Sequence, residues 1–266
     1  MHLNRAFKYG DGLFETIRVS NGNILFLEAH FARLSKGLTI LRMQDSKKPL
    51  SIEKFQKIVQ DFLVKQSDAN LRIRITFFRQ GAGLYTPQET AYDYSIESSP
   101  LESASFSLNP KGLRLGCCTS VQLSIDQLSN LKTISALPYV LAALEKKEKG
   151  WEDALILNSE GAIAESIAAN VFVLKGKQVF TPALNQGCIA GVMRQNVIKI
   201  IKELDLELCE GVVFLEDIKD ADEICLTNAI RGIQWVREVN NYSNLLKNSL
   251  AERLIDHLNK IISLKL

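Results

Sequence analysis

Three stretches of this 266-residue chain are poor in charge, and each carries or leads into one group capable of chemistry. Between Gln127 and Leu144 the only charged side chain is Lys132, and between Gly161 and Leu174 it is Glu165. Between Gln178 and Met193 there is none, and that run passes through Gly187-Cys188-Ile189-Ala190-Gly191 into Val192 and Met193. A lysine in apolar surroundings loses hydration, which disfavours its charged form and leaves an amine able to attack a carbonyl. On these residues alone, a packed stem with its head reaching water remains the more ordinary reading of Lys132. A carboxylate isolated in an apolar strand is costly unless it meets a cation or a donor, and a protonated pyridine nitrogen would serve Glu165. A glycine loop entering a helix offers N–H groups and the positive end of the helix dipole to phosphate. Amine, carboxylate and phosphate cup are the three handles of pyridoxal phosphate.

Other chemistries lack their residues. Gly81-Ala82-Gly83 has Thr86 where a dinucleotide fingerprint needs its third glycine, and Gly176-Lys177 lacks the earlier glycine of a P-loop. His2, His30 and His257 lie far apart with no cysteine cluster beside them, so no metal site is expected. No nucleophile elbow supports a histidine-assisted serine or cysteine. Cys117, Cys118, Cys188, Cys209 and Cys225 form no Cys-x-x-Cys pair and read as reduced core thiols of a cytoplasmic protein. With 32 Lys+Arg against 30 Asp+Glu, the net charge of +2 offers no field for nucleic acid. The N-terminus has no signal-like apolar segment and no 18-residue apolar run follows, so no membrane partner is expected.

The elements that must position these groups follow from spacing. Leu13–Val19 and Ile24–Leu27 flank Ser20-Asn21-Gly22-Asn23, a hairpin signal. Leu27, Phe31, Leu34, Leu38 and Leu41 mark an amphipathic helix. Ser51 caps a second helix with the stripe Ile52, Phe55, Ile58, Val59 and Phe62. Leu71–Phe77 alternates with period two, a half-buried strand closed by the Arg79–Pro87 glycine loop. Ser98–Lys111 is polar and aperiodic, with Pro100 and Pro110, and reads as a linker. Beyond it the expected order is strand 113–118, helix 134–149, strands 154–157, 170–174 and 178–181, and a helix entered through Gly191. Strands 223–227 and 233–239 and a helix over 245–262 close the chain. Strands and helices do not alternate strictly, so the fold class is α+β. Two domains are expected, a smaller one over 1–103 and a larger cofactor-binding one over 112–266, joined by 104–111.

Taken together these motifs resemble the class IV aminotransferases, the fold-type-IV pyridoxal phosphate enzymes that include the D-amino-acid aminotransferases. The resemblance rests on Tyr9-Gly10-Asp11-Gly12-Leu13-Phe14-Glu15-Thr16, Glu28-Ala29-His30-Phe31-Ala32-Arg33-Leu34, Lys132, Glu165–Phe172, Gly191-Val192-Met193-Arg194-Gln195 and Leu226-Thr227-Asn228-Ala229. It implies a pyridoxal 5'-phosphate cofactor at the domain interface, with Lys132 forming the aldimine and later taking the Cα proton. Glu165 would pair the pyridine nitrogen. Arg33 would bind the phosphate, with backbone at Val192, Met193, Ala229 and Ile230 completing the cup. Phe14, Arg79, Leu84 and Tyr85 would line the substrate pocket. Gly10 and Gly12 would serve backbone geometry, His30 is read as structural, and Arg194 is given no role. A homodimer is implied, with Arg79–Pro87 lent to the partner's pocket. The resemblance also implies one or two strands ahead of the Tyr-Gly-Asp-Gly motif, where only eight residues precede Tyr9.

The resemblance implies a transaminase acting on a small amino acid, with 4-amino-4-deoxychorismate lyase, which releases pyruvate and 4-aminobenzoate, as the alternative. Leu137 stands where branched-chain enzymes carry tyrosine, Met193 and Ala229 where they carry threonine, and Phe14 where D-amino-acid enzymes carry tyrosine. Ala168-Ala169-Asn170, Met193-Arg194-Gln195 and Asn228-Ala229 look more like the lyase. Gly81-Ala82-Gly83-Leu84-Tyr85 lacks the second basic residue suited to a dicarboxylate. A non-catalytic binding protein is the remaining reading, and the complete Lys132, Glu165 and Arg33 set argues against it.

Overall fold

The computed structural model describes residues 4–44, 49–204, 206–240, 242–244 and 247–263, so His2 and the expected helix start at 245 lie outside the described residues. The chain forms two compact units, Met1–Ala104 with Leu131–Ala136, and Ser105–Asn130 with Leu137–Leu266. The fold is α+β.

The first unit runs α1 (Arg5–Tyr9), β1 (Gly12–Ser20), β2 (Asn23–Ile24), α2 (Leu27–Ile40), α3 (Ile52–Leu63), β3 (Leu71–Arg79) and β4 (Tyr92–Pro100). Its sheet has the order β2-β1-β3-β4, antiparallel throughout. The expected hairpin forms because Asn21 and Gly22 both take positive φ, 46° and 79°, as the tight turn requires. Gly10 caps α1 at φ 64°. Along β3, Leu71, Ile73, Ile75 and Phe77 are buried while Arg72, Arg74, Thr76 and Phe78 take the other face. Leu13, Ile17 and Val19 of β1 share the buried face, which Leu34 and Leu38 of α2 and Phe55 and Val59 of α3 cover. Ser51 Oγ accepts from Lys54 N at 3.2 Å, the expected cap.

Two stretches differ from the sequence reading. Ser98, Ser99 and Pro100 end β4 rather than opening a linker. This strand borders only β3; the alternation of Tyr92, Tyr94 and Ile96 stops before its polar Ser98–Pro100 end, and an edge tolerates proline. Residues 105–109 are tied down within the second unit: Asn259 brackets Phe106 through both backbone groups, and Asn109 does the same for Trp235. Residues 131–136 cluster with the first unit instead of the second, because Phe14 N donates to Lys132 O (2.8 Å) and Ile134 N donates to Gly12 O (3.1 Å).

Arg79 is also not where a pocket residue would be. Its Nε donates to Asp11 Oδ2 at 2.9 Å and its Nη atoms to the carbonyls of Leu41 and Arg42. Arg5 Nε reaches the same Asp11 oxygen at 2.8 Å, and its Nη1 collects the carbonyls of Ala82, Gly83 and Leu84. Burial alone would raise the Asp11 carboxyl, but the two guanidiniums outweigh it and hold it below the usual range. This bracket fixes the glycine loop, whose Leu84 and Tyr85 stand outward, 77% and 88% exposed.

The second unit contains β5 (Leu113–Cys117), α4 (Leu137–Lys149), β6 (Asp153–Leu157), β7 (Ile163–Ser166), β8 (Asn170–Lys175), β9 (Gln178–Pro182) and α5 (Val192–Glu203). It continues with β10 (Glu207–Gly211), α6 (Leu215–Lys219), β11 (Glu223–Asn228), β12 (Gly232–Val239), β13 (Ser243–Asn244) and α7 (Ser249–Ser263). Its mixed sheet has the order β10-β9-β8-β11-β12-β5-β6-β7, with β13 beside β12. The sheet curls until its end strand β7 contacts β8 and β9. Helix α5 packs on α7 and β11 and buries Val197, Ile200 and Ile201. Burial would raise the Glu145 carboxyl of α4, but hydrogen bonds from the Cys118 thiol, from Ser120 and from Thr119 hold it down at about 2. Among the described residues no helix is long and apolar enough to cross a membrane, and all five cysteines are free.

Arg79→Met should lower the unfolding free energy by about 3 kcal/mol, because it breaks a buried ionic bracket from one side. Urea titration followed by circular dichroism checks this, and a loss below about 1 kcal/mol would overturn the structural role of Arg79.

Candidate active site

In the first unit the site grows from the free edge of β1. Its C-terminal end pairs with β2, but residues 12–14 have a second edge open, and Lys132–Ile134 add to it as a short antiparallel segment. Gly12 lies so close to the Phe77 carbonyl that a Cβ there would meet it at 2.5 Å. The pairing sets Lys132 Nζ 4.5 Å from the centroid of the Phe14 ring. Arg74 stands on the same ring with its guanidinium carbon 3.6 Å from the centroid. Both cations thus lie against one aromatic ring, within the range of cation–π attraction.

Arg33 does not reach into open solvent. From α2 it sends Nε to Glu15 Oε1 (2.8 Å) and Nη2 to Glu15 Oε2 (2.5 Å), a fork in which the carboxylate is 1% exposed. His30, one helical turn earlier, sets Nδ1 2.7 Å from Glu15 Oε2. Burial alone would raise the Glu15 carboxyl, but Arg33 and His30 hold it down at about 2. Burial lowers the His30 imidazole against the raising effect of Glu15, and the charges of Arg33 and Lys132 add to the lowering, which favours the neutral ring. Nδ1 then carries the proton donated to Glu15, and Nε2 is a buried acceptor without a hydrogen-bond partner among the described residues.

The second unit builds its part around Glu165, 3% exposed on β7. Tyr139 of α4 donates its phenol to Oε1 at 2.6 Å. The backbone N–H of Ile189 (3.0 Å) and Asn170 Nδ2 (3.2 Å) donate to Oε2. Burial and then the Glu165 charge push the Tyr139 phenol far upward, so it stays a neutral donor. Asn170 also donates to the Ile189 carbonyl, and Asn130 to those of Leu184 and Cys188, which pins the loop leading into α5. That helix starts at Gly191, with no side chain capping it. A Cβ on Gly191 would fall on Asn170 Oδ1, so glycine is needed for the close approach. Val192 and Met193 form the first turn. Arg194, for which the sequence suggested no task, is buried and joins the Pro182 carbonyl to Glu210, fixing the helix start to β9 and β10.

Ala229 and Ile230 sit in the turn between β11 and β12, where Asn228 Oδ1 accepts from Ile230 N and Arg231 N. The Thr227 hydroxyl just before that turn is buried with no hydrogen-bond partner among the described residues. The expected residues therefore fall into two groups. Phe14, Arg33, Lys132, Leu84 and Tyr85 belong to the first unit, and Glu165, Val192, Met193, Ala229 and Ile230 to the second. Among the described residues no cluster of metal-ligating side chains exists.

Sequence reasoning passed over Glu15, Arg74 and Asn170, though each left a signal. Glu15 interrupts the apolar parity of Leu13, Ile17 and Val19. Arg74 alternates with Ile73 and Ile75, which assigns it to the face opposite the core. Asn170 stands at the head of the apolar run Val171–Leu174, where an amide needs a partner.

The amino-transferase class IV family model matches residues 12–239. The chain is 28% identical to the aminodeoxychorismate lyase of Vibrio harveyi over 96% of its own length and 94% of that protein's. It is 25% identical to the D-alanine aminotransferase of Bacillus licheniformis, over 85% and 77% respectively. The branched-chain amino acid aminotransferase of Escherichia coli shares its fold, with a TM-score of 0.86 at 23% identity across 97% of this chain and 87% of that one. The arrangement of residues and the match across most of its length lead to one conclusion: the chain belongs to the class IV aminotransferases, a family of enzymes that use pyridoxal phosphate.

Proposed function

We propose that this chain transfers the amino group of a small amino acid, with the Phe14 ring and its two cations as the observation that carries the reading. A cofactor-bearing amine and a carboxylate-binding guanidinium, 4.5 and 3.6 Å from one ring, match the two ends of an α-amino acid. The residues fit the cofactor. Glu165 is an ionisable group among donors, the uncapped start of α5 offers N–H groups to phosphate, and the Thr227 hydroxyl is a buried group without a partner among the described residues.

When bound, pyridoxal phosphate supplies an electron sink for the pair left at Cα. Lys132 would carry the covalent link and, once displaced, take the Cα proton on Nζ. Glu165 would keep a proton on the ring nitrogen, its own oxygens steadied by Tyr139, Asn170 and Ile189. Val192, Met193, Ala229 and Ile230 would meet the phosphate through backbone, and Arg33 through its guanidinium. Phe14 and Arg74 would seat the substrate.

The second reading, aminodeoxychorismate lyase, is favoured by Arg72. It lies two residues before Arg74 on the same face of β3, about 7 Å along the strand. That spacing offers a second carboxylate its own cation, the basic group that the glycine loop lacks.

A homodimer is part of this proposal. Leu137, Val140, Leu141 and Leu144 form an outward apolar stripe on α4, 48–71% exposed, which suits burial against a second copy.

Lys132→Ala should abolish turnover and the visible absorbance of the bound cofactor, and normal turnover by that variant would overturn the reading. With amino-acid donors, Arg74→Met should raise KM about 10- to 100-fold, the loss of a charge-assisted hydrogen bond. If aminodeoxychorismate instead gives 4-aminobenzoate and pyruvate while no donor gives a keto acid, the lyase reading replaces it. Leu141→Lys should convert a dimer to a monomer in analytical ultracentrifugation; an unchanged sedimentation coefficient places the interface elsewhere.

A further inference from the structure

The fork between Arg33 and Glu15 stands in an unexpected place. Glu15 lies on the core side of β1, flanked by Leu13 and Ile17, and α2 brings His30 and Arg33 onto it from the face that also carries Leu27, Leu34 and Leu38. Replacing such a buried ionic cluster by apolar side chains of similar volume is often neutral or stabilising. Core packing therefore gives no reason for charge here. What the cluster does provide is orientation. A guanidinium gripped along its Nε–Nη2 edge has its plane fixed by two bonds of 2.8 and 2.5 Å, which a single contact would not achieve. The carboxylate is in turn fixed by the imidazole, whose Nδ1 lies 2.7 Å from Oε2. His30 and Arg33 sit three residues apart on α2, so one helix turn supplies both contacts to the same carboxylate.

We infer that Glu15 and His30 are positioning residues that hold the Arg33 guanidinium in the orientation in which it receives the cofactor phosphate. This rests on the reading of Arg33 as a phosphate ligand. Glu15 also places a negative charge beside that ligand, and a charge there opposes phosphate binding. The inference requires orientation to outweigh this opposition. Without Glu15 the guanidinium keeps its charge but loses its set direction, and the phosphate is held less well. His30 acts one step further out, through the N–H that it donates, so any side chain offering an N–H at the Nδ1 position should replace it.

The test compares two ligands on full-length protein stripped of cofactor: pyridoxal 5'-phosphate and pyridoxal, which lacks the phosphate. The ratio of their dissociation constants, measured by fluorescence quenching, reads the phosphate contribution alone. General loosening of the fold weakens both ligands and leaves the ratio in place. Glu15→Gln should reduce the ratio about tenfold. His30→Leu should reduce it severalfold, and His30→Asn, which keeps a donor at the Nδ1 position, should restore it. Because Arg33→Gln alone leaves Glu15 buried without its partner, the double variant Glu15→Gln/Arg33→Gln serves as the neutral, hydrogen-bonded reference. Its ratio should be the lowest of the set. An unchanged or increased ratio in Glu15→Gln, with a low ratio in the double variant, overturns the positioning role while leaving Arg33 as the ligand. A wild-type ratio in the double variant overturns the phosphate role of Arg33, and the inference with it.

Discussion

A carboxylate taken out of water must be met by donors, and in this chain that requirement ties distant segments together. Asp11 gathers Arg5 and Arg79, Glu15 gathers His30 and Arg33, and Glu165 gathers Tyr139, Asn170 and Ile189. Glu145 caps the Thr119–Ser120 backbone, and Glu223 receives the Ser249 hydroxyl and the Leu250 N–H at the start of α7. In every case the donors come from an element other than the one that carries the acid. Each acid therefore acts as a joint. Two of the joints, at Glu15 and Glu165, contain the residues to which cofactor roles are proposed, so the geometry of chemistry and the integrity of each unit share the same bonds.

Periodicity was legible wherever a segment has one wet face and one dry face. Strand β3 alternates over its whole length, α2 and α3 carry their stripes, and Asn21-Gly22 turns as its backbone freedom demands. It was passed over at β4, where Tyr92, Tyr94 and Ile96 alternate with Asp93, Ser95 and Glu97 ahead of the polar Ser98–Pro100 end, and at β7, which is buried on both sides and so shows no alternation. The return of residues 131–136 to the first unit is non-local. It follows from the unfilled edge of β1, and nothing in the sequence of 131–136 announces it.

The candidate site was legible through its charges more than through its glycines. Isolation in apolar sequence singled out Lys132 and Glu165, because a lone charge there needs a reason. The family resemblance, by contrast, put Arg79 in the substrate pocket with the glycine loop that follows it. Its parity along β3 belongs with Leu71, Ile73, Ile75 and Phe77, the buried face, and this property alone predicts a structural guanidinium. Arg74 has the opposite parity and stands over Phe14. Parity along a strand thus sorted the two arginines correctly where proximity to a motif did not.

Substitutions at the proposed phosphate cup give the Arg33 cluster its importance. Met193 and Ala229 bring no hydroxyl where the branched-chain relatives are expected to carry threonine, so backbone N–H groups must do what side chains do there. Backbone donors point where helix and turn fix them, and they cannot adjust to a displaced ligand. Arg194 and Asn170 hold the start of α5 in place, and Asn228 does the same for the turn at Ala229. Of the groups proposed to meet the phosphate, Arg33 is the one with a long, many-rotamer side chain. Left to itself it would spread over many rotamers, at an entropic cost on the order of 2 kcal/mol when it is immobilised. Fixing it in advance through Glu15 and His30 moves that cost from ligand binding to folding. A carboxylate in the core of β1 is intelligible on those terms.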